Sequence, residues 1–215
     1  MQSRRQLILA AAAASAFAGR AAAQPAPGAA AQLAKFLDEV FAETLAESPE
    51  LATSLGLDKG AGAAAKSKLS DASFAGVERR NRMNTDQLRR LKAIDRKALS
   101  GMAAVNYDTL LFALESAEAA NRRFVYGAGA GNPYVLAQIS GAWQQVPDFL
   151  DSQHSVESRE DAQAYIARLE AFARVMDEEA ERVRRDVGLG VVPPDYAIAG
   201  ALAGMKLLRA PPETS

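Results

Sequence analysis

The chain has 215 residues, with 25 Lys and Arg against 26 Asp and Glu, a single histidine and no cysteine. That length suits one domain or a large part of one, and the lack of cysteine excludes disulfides and thiol chemistry in any compartment. A near-neutral balance argues against nucleic acid as a partner.

The opening stretch, MQSRRQLILAAAAASAFAGRAAAQPAPGAA, has a basic start, a short Leu/Ile/Ala run and small residues at Ala21 and Ala23. This is the pattern of an export signal cleaved before Gln24. Arg4 and Arg5 ahead of a mildly apolar run predict the twin-arginine route, and Arg20 before the cleavage point agrees with it. An ordinary secretory signal that begins with two arginines is the competing reading. The run from Leu7 to Gly19 is shorter than the roughly 20 apolar residues that span a bilayer. Removing residues 1–23 takes three arginines and no acids, leaving a net charge of −4. The mature chain is therefore expected to be soluble, periplasmic or secreted, and without a stable membrane span.

Residues 24–31 read as a flexible spacer, and residues 32–215 as one helical domain. Leu33, Phe36, Leu37, Val40, Phe41 and Leu45 recur at helical steps and predict a first apolar face. Ser48-Pro49-Glu50 restarts a short helix that Gly56 stops. A Gly/Ala/Lys loop follows over 57–69, and then Ser70 or Asp71 caps a helix carrying Val77, Leu88, Leu91 and Ile94 inward and a basic, solvated face outward. Val105, Tyr107, Leu110, Leu111, Leu114 and Ala117 mark the next helix.

The strongest pattern lies over Arg159–Val187, where Ser158 and Asp161 resemble a capping box. Ala162, Tyr165, Ile166, Leu169, Phe172, Met176, Ala180, Val183 and Val187 form its expected buried stripe. Glu170–Arg174, Glu178–Arg182 and Glu181–Arg185 stand acid before base at four-residue spacing, the arrangement that forms surface ion pairs. After Gly188, Pro193-Pro194 opens a last helix with Ile198, Ala201, Leu202, Met205 and Leu208. No run alternates with period two for long enough to predict a strand. The fold class is all-α, with about six or seven helices.

Chemistry is mostly bounded by exclusion. Protein zinc sites draw three or four ligands from His, Cys and carboxylates, so one histidine cannot build a His₂ or Cys-containing centre. No G-x-S-x-G elbow supports a Ser-His-Asp hydrolase. The glycine-rich GAGAGN, 127–132, lacks both the third glycine and the preceding strand of a dinucleotide loop, and reads as a helix-to-helix loop. His154, at the end of a short helix over Gly141–Asp151, is read as an offset to the helix C-terminal dipole. Trp143 and Tyr134 are read as core packing or, in the alternative, as stacking partners for a ligand. Gln138, Gln144 and Gln145 offer amide donors and acceptors that suit a peptide backbone. Tyr134, Gln138, Trp143 and Gln144 are thus the candidate lining of a substrate cleft, with no catalytic, cofactor-binding or metal residue assigned.

The blocks ESPELATSLGL, NPYVLAQISGAWQQVPDFL, DAQAYIARLEAFARVMDEEAERVRRDVGLGVVPPDYAI and LAGMKLLRAPP, in that order, resemble an exported bacterial family known as domain of unknown function 885. The resemblance implies a largely helical protein of the zinc-peptidase-like kind, more than twice this length. Its metal would sit on an H-E-x-x-H helix downstream, where two histidines one turn apart hold zinc and the glutamate activates water. This chain contains no H-E-x-x-H, so no metal residue carries over. The expectation is an N-terminal helical scaffold and cleft wall, inactive alone, with zinc entering only with a separate or missing C-terminal catalytic part. A free-standing periplasmic binding or scaffold module is the alternative. An enzyme active in its own right is the least supported reading.

Overall fold

The computed structural model describes residues 28–129 and 132–211. Among them run seven α-helices: α1 (Ala29–Glu47), α2 (Pro49–Ser54), α3 (Phe74–Lys92), α4 (Gly101–Arg123), α5 (Ala142–Ser152), α6 (Arg159–Gly188) and α7 (Asp195–Leu207). Two 3₁₀ turns, Gly60–Ala65 and Arg96–Ala98, complete the regular structure; the described residues hold no strand, only isolated bridges at Gly129–Asn132 and Ala137–Ser140. The fold is all-α. No helix among the described residues is long and apolar enough to cross a membrane. The export segment, with Arg4, Arg5, Ala21 and Ala23, lies outside the described residues.

Two apolar centres organise the helices. In the first, Leu33 and Phe36 of α1 meet Leu91 of α3 and Tyr107 and Leu114 of α4, with Ile94 and Leu99 closing the α3–α4 connection. In the second, Leu69 packs with Ala142, Val146 and Leu150 of α5 and Val175 of α6. Burying a Leu, Val or Phe side chain is worth about 1.5–3 kcal/mol, so each centre supplies a sizeable driving force. Its last helix reaches α5 by close backbone approach: a Cβ on Gly204 would lie 2.1 Å from Trp143 Cζ3, and one on Gly200 2.8 Å from Gln138 Cβ. Only glycine at these positions lets α7 rest on that side.

Local structure departs from the sequence reading at the caps and faces. α1 starts at Ala29, within the span read as spacer. Ser48 precedes α2 without a side-chain capping bond, Pro49 supplying the favoured first-turn residue instead. The cap of α3 is Ser73, which accepts from Gly76 N–H at 3.1 Å, while Ser70 is held by Glu50. Ser158 does cap α6, accepting from Asp161 N–H, but Asp161 reaches back to Glu157 N–H and to Lys66 rather than to Ser158.

The largest correction concerns the buried face of α6. Ile166, Leu169 and Val187 are about half exposed, whereas Arg168, Val175, Arg182 and Asp186 are buried. The three expected surface pairs on that helix do not form; Arg174 pairs with Glu178 instead. The basic face of α3 is not simply solvated either. Arg79 is bound by Glu47 and Asp71, and Arg90 by Glu39, Glu43 and Asp86, so α1 and α3 are laced by charge as well as by apolar contact.

Candidate functional site

The buried polar row of α6 does two separate jobs. Near its N-terminal end, Arg168 is fully enclosed. Its guanidinium donates to Lys68 O (2.9 Å), His154 Nδ1 (2.8 Å), Thr53 Oγ1 (2.7 Å) and Ala65 O (3.1 Å), and lies 4.8 Å from the Phe149 ring centroid. These bonds tie α2, the 60–70 segment and the α5–α6 connection to one point on α6.

An arginine can only donate, so His154 must accept at Nδ1 and carry its proton on Nε2, which donates to Asp161 O at 3.2 Å. Burial pushes the His154 pKa down, and the Arg168 and Lys66 charges add to this, against the opposing pull of the Asp161 carbonyl and carboxylate. His154 is therefore a neutral, 6 % exposed member of an internal network, not a cation offsetting a helix dipole. Beside it, the bond from Lys66 together with the Glu157 N–H holds the Asp161 carboxyl down at about 2.

Further along α6, Glu178, Arg182 and Asp186 recur at four-residue steps and grip two connecting segments. Ala72, just before α3, has its N–H bound by Glu178 Oε2 (2.9 Å) and its carbonyl by Arg182 Nη1 (3.3 Å). Gly127, after α4, has its N–H bound by Asp186 Oδ2 (2.8 Å) and its carbonyl by Arg182 Nη2 (2.7 Å). Gly127 has φ 78°, and a Cβ there would fall 2.5 Å from Asn132 O. The glycine is thus required by both conformation and space, which accounts for the start of the glycine-rich loop without a nucleotide.

Two cavities border this clamp, and both are lined by Arg80 and Arg182. One, of about 360 Å³, lies between the start of α3, α5 and α6, with Glu50, Asp71, Gln145 and Glu179 on its wall and Val146, Phe149 and Val175 as its apolar side. The other, of about 250 Å³, opens between α3, the 124–129 loop and α6, with Phe74, Phe124, Tyr126 and Arg185 on its wall. Glu179 Oε2 accepts Ala142 N–H at 2.8 Å, which satisfies a free donor at the start of α5. Burial pushes the Glu179 pKa up, against the lowering effects of that hydrogen bond and of Arg182. Arg80 donates to Asp71 O at 2.8 Å, and Glu50 accepts both the N–H and the hydroxyl of Ser70. Apart from Arg185, whose guanidinium lies over Phe74, the charged groups of the clefts are held on rigid elements by internal bonds, which suits recognition of a ligand more than movement of protons.

The residues singled out in the sequence lie to one side of these cavities. Trp143 is 9 % exposed, donates its Nε1–H to Ala137 O and Ser140 O, and packs under Gly204. Gln138 is exposed beside Gly200, and Gln144 is half-buried with a buried Oε1 that has no hydrogen-bond partner among the described residues. Tyr134 lines a small recess against α6 with Val183, Val191 and Pro193. Of the three glutamines raised from the sequence, Gln145 is the one that faces the larger cleft. The arginines and glutamates of α6 were missed as site residues because four-residue charge spacing ordinarily marks a wet face; their signal was the seven-residue step from Arg168 through Val175 to Arg182.

A zinc centre does not fit the residues present. The single histidine is committed to Arg168 and Asp161 on both ring nitrogens, and no group of three or more His, Cys, Asp or Glu among the described residues is placed to hold a metal ion. No curated protein and no solved structure matches the chain. The sequence profile described as bacterial protein of unknown function, DUF885, matches residues 49–215, covering α2 to α7 and both clefts. The chain belongs to the DUF885 family.

Proposed function

We propose that this chain is the helical scaffold and cleft wall of an exported zinc-dependent peptidase, with the metal borne by an H-E-x-x-H segment that these residues do not supply. The observation that carries the reading is the pair of adjoining clefts on α6, whose shared post Arg182 is locked by backbone hydrogen bonds and whose walls hold no nucleophile–base pair among the described residues. Such a wall orients a substrate and leaves bond cleavage to another element. Gln145, exposed at the larger cleft, offers an amide to a peptide backbone.

The test is biochemical. The chain, purified after export, is expected to hold no stoichiometric zinc and to cleave no peptide, while a photo-crosslinker at Gln145 captures an extended peptide. Stoichiometric zinc with peptide cleavage by the chain alone overturns it, as does a Gln145 crosslinker that captures nothing. The second reading, a free-standing periplasmic binding module, is favoured by the two apolar centres and by the seating of α7 on Trp143. It expects a monodisperse chain with one cooperative melting transition; a molten, aggregating product speaks against it. Export by the twin-arginine route is part of the proposal, and replacing Arg4-Arg5 by Lys-Lys is expected to stop it.

A further inference from the structure

The 250 Å³ cavity has a chemistry of its own, independent of any peptidase. Three guanidiniums reach its wall: Arg80, Arg182 and Arg185. The acids on the same wall are Glu78, which pairs outward with Arg82, and Asp186, which is committed to Gly127 N–H. The Arg185 side chain makes no ion pair or hydrogen bond among the described residues; its guanidinium carbon lies over the Phe74 ring, 4.6 Å from the centroid. Stacking of that kind holds a guanidinium in place while leaving its edge donors open for a planar anion.

The cavity adjoins a smaller apolar recess of about 80 Å³, with which it shares Asn121, Phe124, Tyr126 and Gly129. There Phe124 and Tyr126 meet edge to face at 5.7 Å, and Pro133 forms the far side. A basic chamber thus lies beside an aromatic one. Their combined size falls near the lower end of the roughly 300–1,000 Å³ typical of small-molecule sites.

We propose that these adjoining cavities bind a small oxyanion carried on an aromatic body, the anion against Arg185 and Arg80 and the ring against Phe124 and Tyr126. Arg182 is a positioning residue, since it holds the Gly127 turn on the wall of the larger chamber. Arg185 meets the charge without displacing an internal partner, while Arg80 adds its charge from a guanidinium that also faces Asp71 O (2.8 Å) and Glu47 (3.9 Å).

The test uses three probes of one shape on the full chain, by ligand-observed NMR and calorimetry: phenylacetate, phenyl phosphate and the neutral phenylacetamide. At least one anion is expected to bind about tenfold or more tighter than the amide, the gain of a charge-assisted hydrogen bond. Whichever anion binds tighter identifies the headgroup as carboxylate or phosphate. Added salt is expected to weaken the anions and spare the amide. Arg185→Gln is expected to erase most of the preference, and Arg185→Lys to keep part of it. Because Arg185 is exposed, its loss is expected to leave the melting temperature unchanged. Phe124→Ser provides a second reading, weakening both aromatic anions. Equal binding of anion and amide, absence of binding by all three, or an unchanged preference in Arg185→Gln overturns the proposal.

Discussion

Arg168 and Arg182 project from the same side of α6, roughly four turns apart, and both are buried. Burial pushes the pKa of each guanidinium down, yet arginine stays charged in either setting. Neither is neutralised by a carboxylate within ion-pair distance among the described residues; each donates to two backbone carbonyls. The difference is what lies around them. Arg168 is enclosed on every side and bonds to a histidine and a threonine, whereas Arg182 keeps a small exposed edge and forms a wall shared by two cavities. The same residue type on one helix thus acts as an internal peg at one end and as a cleft post at the other. Enclosure, rather than charge, separates a folding role from a binding one.

That contrast can be broken most forcefully at Arg168. Arg168→Met removes four donated bonds and leaves two carbonyls, a hydroxyl and an imidazole nitrogen without their partner. Buried groups left this way cost about 1–3 kcal/mol each, so a loss of at least about 3 kcal/mol is expected from urea midpoints, or failure to fold. A loss below about 1 kcal/mol would mean that the enclosure carries little of the fold. Arg182→Met is expected to cost less, about 1–3 kcal/mol, and to act locally. Hydrogen exchange is expected to rise around residues 72 and 124–129, with the rest of the chain little changed.

Acidity sharpens the contrast because the two ends have opposite signs. The folded-state pKa of His154 is depressed, so its contribution is complete above its unfolded value near 6.5. It is lost as pH falls through that value toward the lower folded one, at no more than about 1.4 kcal/mol per pH unit. As the only histidine in the chain, it should contribute a destabilising slope as pH falls below about 6.5, and His154→Gln is expected to flatten that slope. The folded-state pKa of Glu179 is instead raised, so its contribution is present at acid pH and lost as pH rises through the folded value. Glu179→Gln preserves an acceptor for Ala142 N–H and is expected to change neutral-pH stability by less than about 1 kcal/mol. Its signature is removal of that rising-pH loss, read from melting temperatures across the range above pH 4.5.

Much of the fold was legible because apolar spacing survives without tertiary context. Leu33 and Phe36, Leu91 and Ile94, and Tyr107 and Leu114 all enter the core expected of them, and α6 ends at Gly188, one residue beyond the expected Val187. Its face was not legible. A rule that places Leu and Ile inside and Arg outside inverts at Ile166, Leu169, Arg168 and Arg182, since each buried arginine is satisfied by carbonyls distant in sequence. Those partners, Ala65, Lys68, Ala72 and Gly127, contribute only backbone, which leaves no trace in side-chain pattern. The candidate site was hidden for the same reason. Trp143 and His154 drew attention by rarity, but each serves the interior, while the clefts are walled by common arginines and glutamates.

The seat of α7 has a practical consequence. The chain's single tryptophan lies directly beneath Gly204, with its indole N–H bound to the 137–140 turn. Its emission therefore works as a built-in gauge of whether the last helix is docked, with no label required. Lifting α7 would wet the ring and shift the emission to longer wavelength, so any partner or ligand that displaces or clamps this helix announces itself in a cuvette.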